Sequence, residues 1–548
     1  MTTKSLVHPA LFLATSLSLF VFTTTASPAP LTRIGQLDTA DETASIAYDP
    51  GTNKLFSTND ELSVQMTNFG DGTNLSAADS IDLSAVFENT RFVSGVAIDP
   101  NGRGFGVATV IPFENDTILG KVVFFNTDTG EILRDLDVGF NPDNVSFHPD
   151  GSKILVANEA EIGAVTDTAG SISIIDIAGV SLANIAELTN GNVVTTDFSA
   201  ANLAPGVTLD GIRIDPANAA TPHLDLEPEA IVALGDQVFV SLQENNALAV
   251  YSLITNQWTA IHNLGSIEKL IDASDDDEVA AIDDRVHGMF QPDGIATYRV
   301  AGTTYILTAN EGDARDDFEM QFASHGIEGN PFIDPGTLDE LRQRYGGEDP
   351  TDDEILGRLR ISTIDGDTDG DGDIDVPTMF GTRSFSIFNS ETGELVYDSG
   401  SEFAEIVLEK FPELFNSQGT TGSFDSRSDN KGSEPESIVL GEIDGHVFAF
   451  IVLERTGGVM MFDVTDPNNP SFVDYLNSRP DTGSRSPEGL IFISGEMSPD
   501  GRSYIAVGYD RSDSIEVFRV VPEPSSIVLA LLGLIGLSHR RFRRRMAA

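Results

Sequence analysis

The sequence contains no cysteine among its 548 residues. A disulfide, a thiolate metal site and a thiol nucleophile are therefore all excluded. An exported chain without disulfides must restrain its long loops in another way, and bound calcium is a common one. The lack of cysteine thus directs attention to oxygen ligands.

Histidine is scarce as well: there are eight, and His148, His223 and His287 are scattered along the chain. The sequence has neither a G-x-S-x-G turn nor an H-E-x-x-H motif. These absences argue against a Ser-His-Asp triad and against a histidine-based zinc site. Any catalysis would have to rest on calcium bound by carboxylates.

Basic residues are few, because 32 lysines and arginines stand against 86 acids, for a net charge of −54. Such a negative field disfavours nucleic acid as a partner and favours divalent cations. A simpler interpretation is also open, since an acidic surface provides solubility or salt tolerance without any binding site.

What the chain does contain is a repeat. Residues 227–250 read as an acidic start followed by three apolar strands, with turns at 235–236 and 244–246 between them. A comparable turn followed by an apolar strand occurs about seven times. The turn cores are residues 48–51, 99–102, 148–151, 235–236, 300–302, 443–445 and 498–501. The first three lie about 50 residues apart, near the length of a propeller blade.

The repeat predicts an all-β fold, a seven-bladed β-propeller with loop and helical insertions that spans residues 27–520. Radial closure favours this interpretation because it leaves few strand edges exposed. An eight-bladed propeller and two stacked sandwiches are the alternatives. Longer gaps between turns predict insertions at about 161–221 and 312–382, the second largely helical over 318–360 with a helix start near Thr337.

An acidic residue recurs in phase with the turn, and in five of six cases it follows a proline. These acids are Glu42, Asp143, Glu229, Asp293, Glu436 and Glu488. In a propeller they would form a ring at one mouth of the central channel. Because neighbouring carboxylates raise one another's pKa, the ring predicts a bound cation or pairing with arginines. Alternatively, each acid caps the start of its own strand through local hydrogen bonds.

Two polar segments carry the candidate catalytic residues. Residues 308–317 contain Glu311, Asp313 and Arg315, and residues 423–436 contain Arg427 and Glu436. Such bases among metal-bound carboxylates would hold a phosphate or sulfate group, as phosphate-ester hydrolysis requires. Salt bridges between blades are the simpler interpretation for any one arginine, so the catalytic set stays unknown.

An aspartate-rich loop predicts calcium. The aspartates are Asp365, Asp367, Asp369, Asp371, Asp373 and Asp375. The middle of this run, with Gly372, matches the first half of a D-x-D-x-D-G calcium loop, in which alternate carboxylates converge on one hard cation. Thr378 stands where an EF-hand has its glutamate, so the loop is not an ordinary EF-hand. An acidic flexible linker is the alternative, and the number of ions is left open.

The two ends read as targeting segments. Residues 1–26 combine Lys4, an apolar run over 11–22 and small residues at 24–26, which predicts a secretory signal peptide. Near the other end, Pro522, Glu523 and Pro524 precede a short apolar run and then five arginines within 540–545. The run is short for a permanent membrane span, and the arginines would stay on the cytoplasmic side. A simple tail anchor is the alternative.

Several motifs resemble the choice-of-anchor I family over roughly residues 34–520. They include QPDGIATY (291–298), TANEGDARDD (308–317), FDSRSDNKGSEPE (424–436) and SPEGLIFI (486–493). That family is similar to mesenchyme-specific cell-surface glycoproteins, and some members are described as alkaline phosphatases. The resemblance implies a β-propeller and brings no established catalytic residues.

Residues 521–548 are similar to the PEP-CTERM sorting signal. This resemblance implies recognition and cleavage by an exosortase-type enzyme in a Gram-negative bacterium. The chain would associate transiently with the inner membrane and then reach the cell surface or extracellular matrix.

Two functions are compatible with these features. The first is a calcium-binding surface or matrix module whose partner is an extracellular polysaccharide or a surface protein. The second is a calcium-dependent, alkaline phosphatase-like phosphoesterase, which requires the candidate catalytic residues to converge on a shared metal.

Overall fold

The computed structural model describes residues 31–520, except 40–41, 60–61, 115–116, 161–167, 278, 316–317, 328 and 421. The predicted signal peptide at 1–26 and the sorting segment at 521–548 lie outside the described residues. Between these limits short apolar strands alternate with turns, so the prediction of an all-β fold is confirmed.

Strand β1 is Leu31–Asp38, and four complete sheets follow it in chain order, each a four-stranded antiparallel meander. The first is β2 Ile46–Asp49, β3 Lys54–Asn59, β4 Ser63–Asn68 and β5 Ser76–Asp82; the second is β6 Thr90–Ile98, β7 Phe105–Pro112, β8 Lys121–Asn126 and β9 Ile132–Asp137. The third is β10 Pro142–Phe147, β11 Lys153–Asn158, β12 Ser171–Asp176 and β13 Val193–Asp197; the fourth is β14 Ile231–Leu234, β15 Gln237–Leu242, β16 Ala247–Ser252 and β17 Gln257–Asn263.

The next stretch interleaves two sheets. Its elements are β18 Ser266–Ile271, β19 Asp284–Met289, β20 Ile295–Val300, β21 Thr303–Asn310, β22 Glu319–Gln321, α1 Pro335–Arg344, β23 Arg360–Ser362, β24 Thr378–Met379, β25 Ser384–Asn389 and β26 Leu395–Asp398. The fifth four-stranded sheet has the order β20-β21-β25-β26, so residues 311–383 are inserted between its second and third strands. The remaining strands form an accessory sheet, β18-β19-β24-β23-β22, in which β19 and β24 are parallel.

The last stretch completes two further sheets. Its elements are α2 Glu402–Lys410, β27 Pro435–Ile443, β28 His446–Leu453, β29 Val459–Asp463, β30 Ser471–Leu476, α3 Arg479–Thr482, β31 Pro487–Ile493, β32 Tyr504–Tyr509 and β33 Ser514–Val520. The sixth sheet is β27-β28-β29-β30. In the seventh, β1 pairs with β33 from Leu31–Val520 to Asp38–Ser514, so this sheet joins both ends of the described chain.

Hydrophobic clusters lie between successive sheets. Phe56 of the first sheet packs with Phe125 of the second, and the cluster that contains Tyr48 and Tyr504 joins the first sheet to the seventh. The first strands make contacts in the same cyclic order: β2, β6, β10, β14, β20, β27, β31 and again β2. Each sheet therefore buries apolar side chains against both of its neighbours.

The seven predicted turns all fall between the first and second strand of a four-stranded sheet. The insertions differ in detail from their prediction. Within 161–221, β12 and β13 belong to the third sheet. Within 318–360, the α-helix covers only Pro335–Arg344, where Asp334 accepts a hydrogen bond from the Thr337 N–H at 2.9 Å and caps the helix. Much of the remainder is turns, because it is rich in glycine, proline and aspartate.

Candidate functional site

The recurring acids lie at or just before the first strand of a sheet, and we call them the first-strand acids. Asp143, Glu436 and Glu488 are the second residues of β10, β27 and β31, while Glu229 and Asp293 precede β14 and β20 by two residues. In three of these sheets the strand register shifts at the acid, as it does at a β-bulge, between Pro142 and Val145, Pro435 and Ile438, and Pro487 and Leu490. A bulge redirects the local side chains, and it does so here at equivalent places.

The first-strand acids share one electrostatic environment. Burial raises the pKa of Glu229, and the charges of Glu159, Asp143 and Asp293 raise it further. Burial and the charge of Glu311 raise the pKa of Asp293 to about 7. The pKa of Glu436 is raised by burial and then by Asp293, and that of Glu488 by burial and then by Asp510. Acids from five sheets thus interact, as groups facing one common space do.

Glu42, the remaining first-strand acid, lies at a cavity within this region. It lines a cavity of about 260 Å³ together with Asp143, Glu159 and Asp510. The same cavity contains Arg91, a cation within this acidic lining. Glu42 therefore lies on the side of the third and seventh sheets.

The structure brings a second set of acids into this region, which we call the second-strand acids. Each comes one or two residues after the end of the second strand of its sheet: Glu159, Glu244, Glu311, Glu454 and Asp510. Of these five acids, Glu311 alone is among the site residues predicted from the sequence. The signal was present in the sequence, because the strands end in ANE at 157–159, QE at 243–244, ANE at 309–311, LE at 453–454 and YD at 509–510. Antiparallel pairing returns the end of a second strand to the start of the first.

The two sets meet in three trios whose carboxylate oxygens lie within 4.8 Å of one another. The trios are Glu159, Glu229 and Glu244; Asp293, Glu311 and Glu436; and Glu311, Glu434 and Glu454. So close a grouping of buried and half-buried carboxylates requires protons, cationic side chains or a metal ion.

Cationic side chains neutralise the third trio. Glu434 is fully buried and binds both the Arg427 guanidinium and Arg455 Nε, the latter at 2.9 Å from Glu434 Oε2. Arg455 also binds Glu454 at 2.6 Å, and Lys431 Nζ lies 2.7 Å from Glu311 Oε1. These carboxylates are therefore part of an ion-pair network.

The predicted catalytic candidates converge only in part. Glu311 reaches Glu436, but Arg315 binds Glu227 and donates from NH1 to Asp225 Oδ2 at 3.1 Å. Asp313 accepts a hydrogen bond from the Arg315 N–H at 2.8 Å. Arg427, as described, binds Glu434. Neither arginine makes an ion pair with the trio of Asp293, Glu311 and Glu436.

The aspartate loop forms two trios of its own. Asp367, Asp369 and Asp371 are exposed and lie within 4.8 Å of one another, and Asp373 and Asp375 form a half-buried trio with Asp334. Asp365 belongs to neither, since its Oδ2 accepts hydrogen bonds from Ser362 Oγ at 2.6 Å and Arg213 Nε at 2.8 Å. Thr378, at the twelfth loop position, is a buried residue of β24. Calcium binding by this loop stays a prediction.

A cavity of about 550 Å³ opens beside the aspartate loop. Its lining includes Arg213, Ser266, His287, Asp365 and Asp367. Arg213 is held by Asp365 and by a 2.8 Å hydrogen bond from its NH1 to the Glu244 carbonyl, which fixes the guanidinium at the cavity wall. A cavity of this size, with donors and acceptors on one wall, suits a small polar ligand or one residue of a polymer.

Comparison with family models identifies the chain. The model of the choice-of-anchor I domain matches residues 44–467, most of the sequence. The chain belongs to the choice-of-anchor I family. This choice-of-anchor I chain also matches the PEP-CTERM protein-sorting motif over residues 520–545, so it is an exported, surface-sorted protein recognised by an exosortase-type enzyme. Both predicted resemblances are confirmed.

Two curated relatives share part of the choice-of-anchor I region. Gigasin-3a of Magallana gigas is 29% identical over 187 residues, which cover 31% of this chain and 66% of the relative. The mesenchyme-specific cell surface glycoprotein of Strongylocentrotus purpuratus is 27% identical over 219 residues, which cover 35% of this chain and 28% of the relative. Each match thus spans less than two thirds of the relative.

Within the described part of this choice-of-anchor I chain, no helix combines the length and the apolar character needed to cross a membrane.

Proposed function

We propose that the protein is a surface-sorted, seven-bladed β-propeller that acts as a calcium-binding module for an extracellular polysaccharide. Seven four-stranded antiparallel sheets follow one another among the described residues. Their first strands contact each other in cyclic order, and apolar clusters join the sheets, including the seventh to the first. The acids that start these strands interact across five sheets, as positions around a common axis would.

The cavity of about 550 Å³ beside the aspartate loop is the observation that supports this function best. The Arg213 guanidinium carries an NH2 that is buried without a hydrogen-bond partner among the described residues. Asp365 offers carboxylate oxygens on the same wall, and Ile212 and Ile364 add apolar surface. Sugar rings combine hydroxyls that donate and accept hydrogen bonds with apolar C–H faces, so this mixed lining suits them.

Calcium in the adjacent aspartate loop would allow so acidic a chain to bind an acidic polysaccharide as well as a neutral one. Asp367 both lines the cavity and belongs to the exposed trio with Asp369 and Asp371. A calcium ion there takes six to eight oxygen ligands, and the loop trio alone leaves positions for sugar hydroxyls or carboxylates. It also offsets the repulsion expected from a net charge of −54.

The test is a titration of the purified protein with acidic and neutral envelope polysaccharides, in calcium and in chelator. We expect binding in calcium and its loss on chelation. The double variant Ser266→Ala/His287→Ala, which changes two lining residues, should weaken binding at least several-fold. Arg502→Ala is the matched control, because Arg502 is an exposed residue paired with Asp500 at 2.7 Å. Equal binding by the double variant and the control would contradict the proposal.

The phosphoesterase alternative has less support, because Arg315 and Arg427 are already paired with carboxylates. It is checked on the same preparations by phosphomonoester turnover in calcium and in chelator. We expect no turnover above background. Turnover that disappears on chelation and in Arg315→Ala would favour the enzyme and locate its site.

A further inference from the structure

The first of the three trios joins two sheets at their inner edge. Glu159 directly follows β11 of the third sheet, whereas Glu229 precedes β14 and Glu244 follows β15 in the fourth. Their carboxylate oxygens approach within 4.8 Å of one another. Three acids from separate segments are thus brought together by tertiary packing.

A second observation concerns a buried oxygen of this trio that receives no hydrogen bond from the described residues. Glu244 is only 8% exposed, and its Oε2 is buried without a hydrogen-bond partner among the described residues. Burial raises the pKa of Glu244, and Glu227 raises it further, while Arg315 opposes the shift. A buried carboxylate oxygen without a donor is destabilising unless another group supplies positive charge.

The other inner trios show what neutralisation by protein groups looks like here. In the second trio, Glu311 has both oxygens occupied, by Lys431 Nζ at 2.7 Å and by Gln243 Nε2 at 2.9 Å. Glu436 Oε2 of that trio also lacks a hydrogen-bond partner among the described residues, but the Lys431 ammonium supplies a positive charge there. In the third, arginines bind Glu434 from two directions.

The first trio differs in its cationic neighbours, because the guanidinium whose charge acts on Glu244, that of Arg315, is directed elsewhere. Arg315 binds Glu227 and Asp225, both outside the trio. Within the trio, Glu159 Oε2 accepts a hydrogen bond from Asn141 Nδ2, a neutral donor, at 2.8 Å. This bond orients Glu159 and adds no positive charge.

We propose that Glu159, Glu229 and Glu244 together hold one divalent cation, which clamps the third sheet to the fourth. All three side chains are hard oxygen donors, a set that selects calcium over zinc or copper. Calcium–oxygen distances of about 2.3–2.6 Å place opposite ligand oxygens about 4.6–5.2 Å apart, so oxygens within 4.8 Å fit one calcium sphere. Water completes the coordination.

The clamp would have a structural role that a disulfide cannot take in this chain. With no cysteine in the chain, the third and fourth sheets cannot be tied by a disulfide. The ion would restrain β10 and β14, whose neighbouring strands supply the ligands. This site is separate from the aspartate loop, and neither requires the other.

The test counts bound calcium in a background that lacks the loop site. The double variant Asp369→Asn/Asp371→Asn is the background, and Glu244→Gln is added to it. After equilibrium dialysis against calcium, we expect Glu244→Gln to lose one bound equivalent per chain. Glu268→Gln, which removes an exposed glutamate paired with Arg285 at 2.6 Å, should lose none. Equal calcium content in the two variants would overturn the site.

A second readout separates a clamp from a mere loss of folding. Without calcium, Glu244→Gln should melt higher than the background, because one of three closely spaced, mutually repelling carboxylates is gone. With calcium, the background should gain stability and Glu244→Gln should not. Glu229→Gln should behave in the same way if Glu244→Gln folds poorly. A variant that melts lower in chelator and still gains stability from calcium would contradict the proposal.

Discussion

At the scale of single residues, acids in this protein differ mainly in how they are compensated. Glu434 is buried and held by two arginines, whereas Glu244 is buried and has one oxygen with no hydrogen-bond partner in the described part of the chain. The same residue type is thus a member of an ion-pair network in one place and a candidate ligand in another. Side-chain identity does not distinguish them; the neighbours do.

Asp272 gives a prediction of pH dependence away from these sites. It is buried, and burial raises its pKa to about 8, although the Ala281 N–H donates to its Oδ2 at 2.8 Å. The folded-state pKa lies above the unfolded value, so the stability associated with its proton is present at low pH and lost as pH rises from about 4 through 8. Asp272→Asn should therefore be more stable than the wild type at pH 9, by about 1–2 kcal/mol, and similar at pH 4.

Denaturant midpoints at pH 4, 7 and 9 check this expectation. Asp82→Asn is the control, since Asp82 is exposed and hydrogen bonds from Ser84 lower its pKa. That variant should gain nothing at pH 9. A wild type and an Asp272→Asn variant with the same dependence on pH would contradict the assignment.

At the scale of elements, the close approach of first strands decides where their acids can lie. The residue after Asp293 is Gly294, whose N–H donates to the Glu436 carbonyl of the next sheet at 3.2 Å. A Cβ at Gly294 would lie 2.8 Å from that carbonyl oxygen and 2.9 Å from Ser437 Cα. The glycine therefore permits β20 and β27 to approach each other.

Gly294→Val should separate these strands and destabilise the protein by about 2 kcal/mol or more, as expected for overpacking against backbone. Gly191→Ala is the control, because the nearest group to its Cβ is the Thr189 hydroxyl at 3.3 Å. It should be nearly neutral. The measurement is the melting temperature of each variant, and equal melting temperatures would show that the strands yield without cost.

At the scale of the whole molecule, β1 has an effect beyond its own length. It pairs along β33 and completes the seventh sheet, and the Leu31 N–H donates at 2.9 Å to Asp474 Oδ2 of β30 in the sixth sheet. Without β1, the edge of β33 would be exposed and open to pairing with another chain.

Removal of residues 31–38 should lower the melting temperature and promote aggregation. A peptide of residues 31–39 added in trans should restore stability, because it can add to the β33 edge as a strand. A scrambled peptide of the same composition is the control. A truncated protein as stable and monodisperse as the full chain would show that this pairing is dispensable.

Much of the strand pattern was predictable from the sequence. Turns such as 235–236 and 443–445 lie between short apolar runs, and that alternation is local information. The accessory sheet was not predictable, because it pairs β19 with β24, about 90 residues further along the chain. The predicted helix start near Thr337 lies within the helix over 335–344, but the helical extent was overestimated from composition.

The sequence by itself determined the all-β class, the phase of the first-strand acids and the family, because these depend on local patterns and recurring motifs. Tertiary structure decided which charges meet. It brought Glu159 to Glu229 and Glu244 across two sheets, and it directed Arg315 to Asp225 and Glu227. Compensation of a buried charge depends on distances of a few ångströms between residues far apart in the chain, and those distances exist only in the folded protein.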